Sequence, residues 1–111
     1  MVAMESPIQL PENKFGISGQ LHDFSQAQYE VYQPVALKAS RDAYFGFEGG
    51  AGLTANAIVR GATCRAAIDA KILTGITAEQ VANMKPPAVA WLAEQIRKHV
   101  VAVTTPPPDP N

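Results

Sequence analysis

ILTGITAEQVANMKPPAVAWLAEQIRKHVV, residues 72–101, carries the clearest helix signals in this chain of 111 residues. Thr77 and Gln80 have the spacing of a capping box, in which each side chain accepts a hydrogen bond from the other residue's backbone N–H. Ile76 and Val81 flank the same helix start at the spacing of a hydrophobic staple. Gly75 is predicted to end the preceding helix in the left-handed conformation. The segment therefore predicts two helices that pack at a fixed angle.

Helical patterns continue on the N-terminal side of this segment. Ser25 and Gln28 form a second capping-box pattern, and Pro34 interrupts the helix that follows, so a kinked or two-part helix is predicted. Thr54 is the predicted N-cap of the longest helix. Pro86 ends the third helix and is well suited to the first turn of the fourth. The predicted helices cover residues 25–44, 53–73, 78–84 and 88–101.

Two of these helices carry apolar faces that are expected to form the core. The face of the longest helix comprises Ala57, Gly61, Cys64, Ile68 and Ile72. Its small residues at 57 and 61 would let another helix approach closely. The face of the last helix comprises Val89, Leu92, Ala93, Ile96 and Val100. Two ion pairs at four-residue spacing are predicted on the solvent side, Arg65 with Asp69 and Glu94 with Lys98.

The two ends of the chain differ from its helical middle. Residues 1–13 are interpreted as an extended or disordered lead-in. Phe15 and Ile17 alternate with small residues, which predicts a short strand or a β-turn element. Residues 104–111, TTPPPDPN, are predicted to form a disordered, polyproline-like tail. The predicted fold class is mainly α. A single domain of about four helices occupies residues 14–103 and includes a short extended or β element at its N-terminal end.

Charge and composition restrict the classes of function. A net charge of -1 and a pI of about 6.1, without runs of like charge, argue against nucleic acid and anionic membranes as partners, because phosphate binding requires clustered Lys and Arg. No apolar run is long enough to span a membrane, and the first residues lack the features of a secretion signal. One cysteine excludes an intrachain disulfide. A cytoplasmic protein is expected.

The residues that carry chemistry are few and scattered. His22 is predicted in a turn and His99 near a helix C-terminus, where it would interact with the helix dipole. Cys64 falls on the predicted buried face, where a thiol is a small hydrophobic group. The sequence has no metal-ligand spacing, and residues 48–54 lack the lysine of a phosphate-binding loop. The sequence therefore predicts a non-enzymatic protein with no cofactor and no metal.

Helix-turn-helix DNA binding is the less favoured alternative to protein binding. Residues 77–84 and the next helix have this outline, but that helix opens with Pro87, Ala88 and Val89 in place of polar residues that reach base edges. Protein binding is favoured, because aromatic residues are enriched at interfaces. The candidate partner contacts are Tyr29, Tyr32, Phe45, Phe47 and Trp91. For the two phenylalanines and the tryptophan, packing in or beside the core is the favoured interpretation, and a partner contact is the alternative.

The order of these segments resembles a known family. FSQAQYEVY, IDAKILTGI, VANMKPPAVAWLAEQI and the final PPPDPN are similar to the tail assembly chaperones of long-tailed bacteriophages, over residues 14–111. The resemblance implies a mostly helical, non-enzymatic protein that binds the tape measure protein and keeps it soluble while the tail tube polymerises. It also implies a longer product of ribosomal frameshifting, for which the proline codons of residues 106–108 are a candidate slip site. No residue-level binding motif carries over from the family.

Two classes of function remain open on these grounds. An assembly chaperone is absent from finished particles, whereas a virion structural or connector protein stays in them in many copies. Self-association is compatible with both. The predicted partner is a protein, and no nucleic acid or membrane is expected to bind.

Overall fold

The computed structural model describes residues 7–46 and 52–105. In chain order the elements are β1 (Ile8–Gln9), β2 (Gln20–Leu21), α1 (Gln26–Gly46), α2 (Gly52–Asp69), β3 (Leu73–Thr74), α3 (Ala78–Asn83) and α4 (Pro86–Thr104). The predicted fold class, mainly α with four helices and a small β element near the N-terminal end, is confirmed. Of the predicted disordered tail, residues 104–111, the last six lie outside the described residues. Its first residue, Thr104, is the last residue of α4.

The strands form one small antiparallel sheet in the order β1-β2-β3. Ile8 pairs with Leu21, and Leu21 pairs with Leu73. Leu10 donates a backbone hydrogen bond to Gly19 at 3.0 Å and is buried in the core. The later part of the predicted lead-in is therefore a strand of the fold, because β2 supplies the partner that a lone segment lacks.

Of the two elements predicted at Phe15 and Ile17, a short strand or a β-turn, the structure has a turn, and Asn13 explains why. Its side-chain Oδ1 accepts hydrogen bonds from the backbone N–H groups of Phe15 and Ile17, each at 3.0 Å. Its Nδ2 donates to the Ile17 carbonyl at 2.8 Å. An Asn side chain that satisfies nearby backbone groups favours a turn over a strand.

Helix α1 begins with the predicted capping box. Ser25 Oγ accepts from the Gln28 backbone N–H at 3.2 Å, and Gln28 Oε1 accepts from the Ser25 N–H at 2.9 Å. Pro34 lies inside this one helix, which extends to Gly46. The carbonyl that Pro34 leaves without a donor is that of Glu30, an exposed residue, so water can satisfy it.

Helix α2 starts two residues before the predicted N-cap Thr54 and ends four residues before the predicted end. Lys71 ends it, with a left-handed φ of 62°. Its N–H donates to the Ile68 carbonyl at 3.0 Å, and the Ile72 N–H donates to the Ala67 carbonyl at 2.9 Å. These two bonds are a Schellman motif with lysine at the usual glycine position. Gly75 is left-handed, at φ 85°, but it follows β3 and does not end a helix.

The segment from Ile76 onward agrees closely with its prediction. Thr77 Oγ1 accepts from the Gln80 N–H at 3.1 Å, and Gln80 Oε1 accepts from the Thr77 N–H at 2.8 Å, which completes the capping box. Ile76 and Val81 are both buried, as a hydrophobic staple requires. Helix α3 ends at Asn83, and α4 extends beyond its predicted bounds at both ends.

The core lies where the C-terminal half of α2 meets α4 and the sheet. The largest fully buried side chains are Ile72, Leu73, Leu92, Ile96 and Cys64. The whole predicted apolar face of α4 is buried, which confirms that stripe. A Cβ on Gly61 would meet only the end of the Arg65 side chain, at 3.3 Å, so the close helix approach predicted at that residue is wrong.

The predicted surface ion pairs are also corrected. Glu94 pairs with Arg97 rather than Lys98, through two hydrogen bonds of 2.6 and 2.9 Å. The planar guanidinium matches a carboxylate with two parallel bonds, which an ammonium group does not do. No ion pair joins Arg65 to Asp69, both of which belong to the described part of the chain.

Candidate protein-binding surface

Part of the α1–α2 hairpin extends beyond the core, and we call residues 33–46 and 52–60 the helical arm. Tyr32 is the last buried residue of α1, and Gly61 is the first buried residue of α2, among side chains that the structure describes. Within the described residues, α1 packs against no other helix as extensively as against α2.

Exposed aliphatic side chains are concentrated on this hairpin. Four large hydrophobic residues are 44–50% exposed there: Val31, Val35, Leu37 and Ile58. Among the side chains whose exposure the structure describes, only two others are of this kind, namely Ile8 and Val101. Single exposed hydrophobic residues are normal, but a group on one structural unit marks an interaction surface.

The four residues occupy defined positions on the hairpin. Val31 and Val35 are one turn apart on α1, on the flank of the buried Tyr32, so they form a short stripe at the base of the arm. The charged side chains described on the arm are Lys38, Arg41 and Arg60, all exposed. Leu37 lies two residues after Val35 and therefore on another side of α1. The stripe of Val31 and Val35 is thus aliphatic with a polar border, which suits contact with an apolar helix face.

Tyr29 and Tyr32, two of the five aromatic candidates, pack inside the protein or against its core. Tyr32 is 5% exposed and packs in the core, so its prediction as a partner contact is wrong in this conformation. Burial raises the pKa of its hydroxyl. Tyr29 is half-buried, with its ring 6.5 Å from Tyr32 and 6.2 Å from Phe24. The three rings form a stack against the core.

Of the other three candidates, the structure describes the side chain of Trp91 alone. Trp91 is half-buried and packs beside Phe15, with ring centroids 6.3 Å apart, which agrees with a tryptophan at the edge of the core. Phe45 belongs to α1, but its side chain is outside the described set, as is the whole of Phe47. Both remain predictions.

The sequence reasoning missed the exposed aliphatic residues because it searched for aromatic anchors. Their signal is present in the sequence, because Val31 and Val35 lie off the helical stripe that contains Tyr32 and Ala36. A valine outside the buried stripe of an amphipathic helix is a candidate contact residue. Applied to α1, this rule selects both valines.

The histidines form a contact that the sequence did not predict. His99 Nε2 bonds the His22 carbonyl at 2.7 Å, and the His22 ring bonds Thr74 Oγ1 at 2.6 Å. The His99 ring also meets the Phe24 ring edge-on, at 5.9 Å. These contacts hold α4 against the segment between β2 and α1. His99 was predicted to interact with the helix dipole, and in the structure its ring makes a tertiary hydrogen bond.

Cys64 is fully buried, as its position on the apolar face predicted. Burial raises the pKa of its thiol to about 12. Its Sγ lies 3.9 Å from the Val89 carbonyl oxygen. A thiol in this setting packs as a small hydrophobic group and is protonated at neutral pH.

Over the described ranges, no three His, Cys, Asp or Glu side chains lie close enough to hold a metal ion. The helices found there also include none with the length and hydropathy needed to cross a membrane. Comparisons with protein-family models, with curated proteins and with solved structures give no match.

Proposed function

We propose that this protein is a non-enzymatic, protein-binding chaperone of phage tail assembly. It acts in the cytoplasm of the bacterial host and binds the tape measure protein. The observation that carries the proposal is the helical arm with its group of exposed aliphatic side chains. The resemblance of residues 14–111 to tail assembly chaperones supplies the identity of the partner.

The arm offers a surface for an apolar helix stripe. Two antiparallel helices leave a shallow groove along their shared side, and an amphipathic helix can lay its apolar face into such a groove. Val35 and Ile58 come from different helices of the pair, so a client helix would contact both. A long helical client offers many such stripes in succession.

The magnitude of the contact favours a chaperone over a permanent virion component. Covering the exposed half of Val31, Val35 and Ile58 contributes about 1 kcal/mol each, or about 3 kcal/mol in total. Association costs at least a comparable amount, so one arm binds weakly and several copies act along one client. Weak contacts suit a protein that must leave as the tube polymerises.

The structure gives no support to DNA binding through α3 and α4. Ala88 and Val89, in the first turns of α4, are buried in the core. A recognition helix needs these positions to face the major groove.

Co-expression with the tape measure protein tests the proposal. That protein is identified from its gene, which is very long, encodes a helical protein and follows a reading frame that overlaps the gene of this chain. We expect the native chain to keep it soluble, and the double variant Val35→Lys with Ile58→Lys to reduce the soluble fraction several-fold. Val101→Lys is the matched control, because Val101 is 51% exposed but lies on α4.

Two outcomes would count against the chaperone. Full solubilisation by the arm variant, with unchanged circular dichroism and melting temperature, would remove the arm from the mechanism. Mass spectrometry of purified particles distinguishes a chaperone from a virion structural or connector protein. Stoichiometric amounts of this protein in finished virions would establish the structural or connector function instead.

A further inference from the structure

A second surface lies where the start of α1 meets the end of α4. It is a groove of about 530 Å³, lined by Phe24, Ser25, Gln26, Tyr29, Val103 and Thr104. None of these residues belongs to the helical arm. The groove is therefore separate from the surface on which the proposed function rests.

One wall of the groove is a fixed pair of aromatic rings. Phe24 and Tyr29 stack with centroids 6.2 Å apart and planes 18° apart. The edge-on contact with His99 holds Phe24 from the other side, and His99 is itself bonded to the His22 carbonyl at 2.7 Å. Because these rings are already ordered, a ligand that packs on them loses little of its binding free energy to ordering the protein.

An aromatic wall of this kind fits a proline-rich segment. Proline rings pack flat against aromatic faces, and their restricted backbone leaves less entropy to lose on binding. Consecutive prolines also present carbonyl groups without N–H donors of their own. The hydroxyl groups of Ser25 and Tyr29 are in the lining and can donate to such carbonyls.

We propose that the groove binds the chain's own proline-rich segment, residues 106–111. Thr104 lines the groove, and Thr105 leaves α4 with extended backbone angles, φ -74° and ψ 123°. The sequence PPPDPN follows directly. Six residues of extended chain span at most about 20 Å, so the segment starts beside its site. Covalent linkage raises its effective concentration to about the millimolar range, which makes even weak contacts sufficient.

The test compares the full native chain with a full-length variant that carries Pro106→Ser, Pro107→Ser and Pro108→Ser. Serine is used because alanine would favour an extension of α4. The probe is the synthetic peptide TTPPPDPN, with TTSSSDPN as its control. Aromatic NMR signals of Phe24 and Tyr29 are recorded during titration.

We expect the ring signals of Phe24 and Tyr29 to differ between the native chain and the triple variant. Added TTPPPDPN shifts those of the variant toward the native positions, and the control peptide does not. The native chain binds the peptide at least about tenfold more weakly than the variant, because its groove is already occupied. Adding Phe24→Leu to the variant keeps apolar volume but removes the flat ring, and peptide binding falls about tenfold or more.

Identical ring signals in the native chain and the triple variant would overturn the proposal. So would peptide binding of equal strength to both proteins. If the ring signals of the native chain change on dilution, a second copy supplies the segment and the assignment within one chain is wrong. Circular dichroism melting curves show that Phe24→Leu has left the fold intact; if it has not, Tyr29→Leu replaces it.

Discussion

Gln28 and Ala70, 42 positions apart in the sequence, are joined by a hydrogen bond of 3.0 Å from the Gln28 Nε2 to the Ala70 carbonyl. The same Gln28 side chain accepts from the Ser25 N–H and closes the capping box of α1. One side chain thus stabilises the start of α1 and satisfies a carbonyl at the end of α2. This contact fixes the base of the hairpin from which the helical arm extends.

Replacing Gln28 with alanine removes both interactions at once. We expect Gln28→Ala to lower the free energy of unfolding by about 1–2 kcal/mol, since a cap and a half-buried hydrogen bond are lost together. Urea denaturation measures the change. Gln26→Ala, in the same first turn, loses only an exposed bond to Glu30 and should change stability by less than about 0.5 kcal/mol. Equal effects from the two variants would show that neither the cap nor the Ala70 contact adds to stability.

Gly19 and Gly61 should respond to alanine in opposite ways. A Cβ on Gly19 would lie 2.9 Å from the Thr74 carbonyl oxygen and 3.0 Å from Ile76 Cδ1, so the backbone must move. We expect Gly19→Ala to destabilise the protein by about 1–3 kcal/mol. Gly61→Ala gains helix propensity and displaces only the flexible end of Arg65, so it should be neutral or stabilise by up to about 1 kcal/mol. Melting temperatures that fall for both variants would refute the contrast.

The features that the sequence predicted correctly are those encoded within a few residues. Both capping boxes and the staple at Ile76 and Val81 depend on groups less than two turns apart, so their patterns identify them. The apolar stripe of α4 is periodic over its whole length and was also recognised.

The features that were missed depend on distant partners. The strand at Gln20–Leu21 exists because β1 and β3 pair with it, and no local pattern marks those partners. The contact of His99 with the His22 carbonyl joins residues 77 positions apart. For the candidate site, the helical period of α1 alone selects Val31 and Val35, whereas the exposure of Ile58 depends on how α1 packs on α2.

Lys71 and Gly75 both have left-handed backbones, and substitutions at these two residues should change stability in opposite directions. Lys71 occupies the glycine position of the Schellman motif at φ 62°, where a side chain is unfavourable by about 1–2 kcal/mol. Lys71→Gly relieves this cost but gains entropy in the unfolded chain, so we expect a net stabilisation of about 0.5–1 kcal/mol.

Gly75→Ala supplies the contrasting case. Its φ is 85°, and a new Cβ would lie 3.1 Å from the Gly19 Cα. We expect a destabilisation of about 1–3 kcal/mol in urea denaturation. For Lys71→Gly, a measured loss of stability would contradict the prediction. It would mean that contacts of the lysine side chain stabilise the protein by more than the left-handed backbone costs.

Stability should also fall at alkaline pH because of Cys64. Burial raises the pKa of this thiol to about 12 in the folded protein, from an ordinary value of 9.0. Between these values the unfolded chain releases the proton and the folded chain keeps it. The unfolded state then binds fewer protons, so the free energy of unfolding decreases as the pH rises. Burial raises the pKa of Tyr32 as well, which acts in the same direction at higher pH.

The variant Cys64→Ala isolates the contribution of the thiol. From pH 8 to pH 10 we expect the native chain to lose about 1.4 kcal/mol more stability than the variant, which corresponds to one unit of pH above the unfolded pKa. Urea denaturation of both proteins at both pH values measures the difference. The stability that Cys64→Ala loses through packing is the same at pH 8 and pH 10, so it cancels in this comparison. Thiol-specific alkylation gives an independent measure, since Cys64 should react only as fast as the protein unfolds. Equal losses in the two proteins, together with rapid alkylation of the native chain, would show that the thiol is accessible in the folded state.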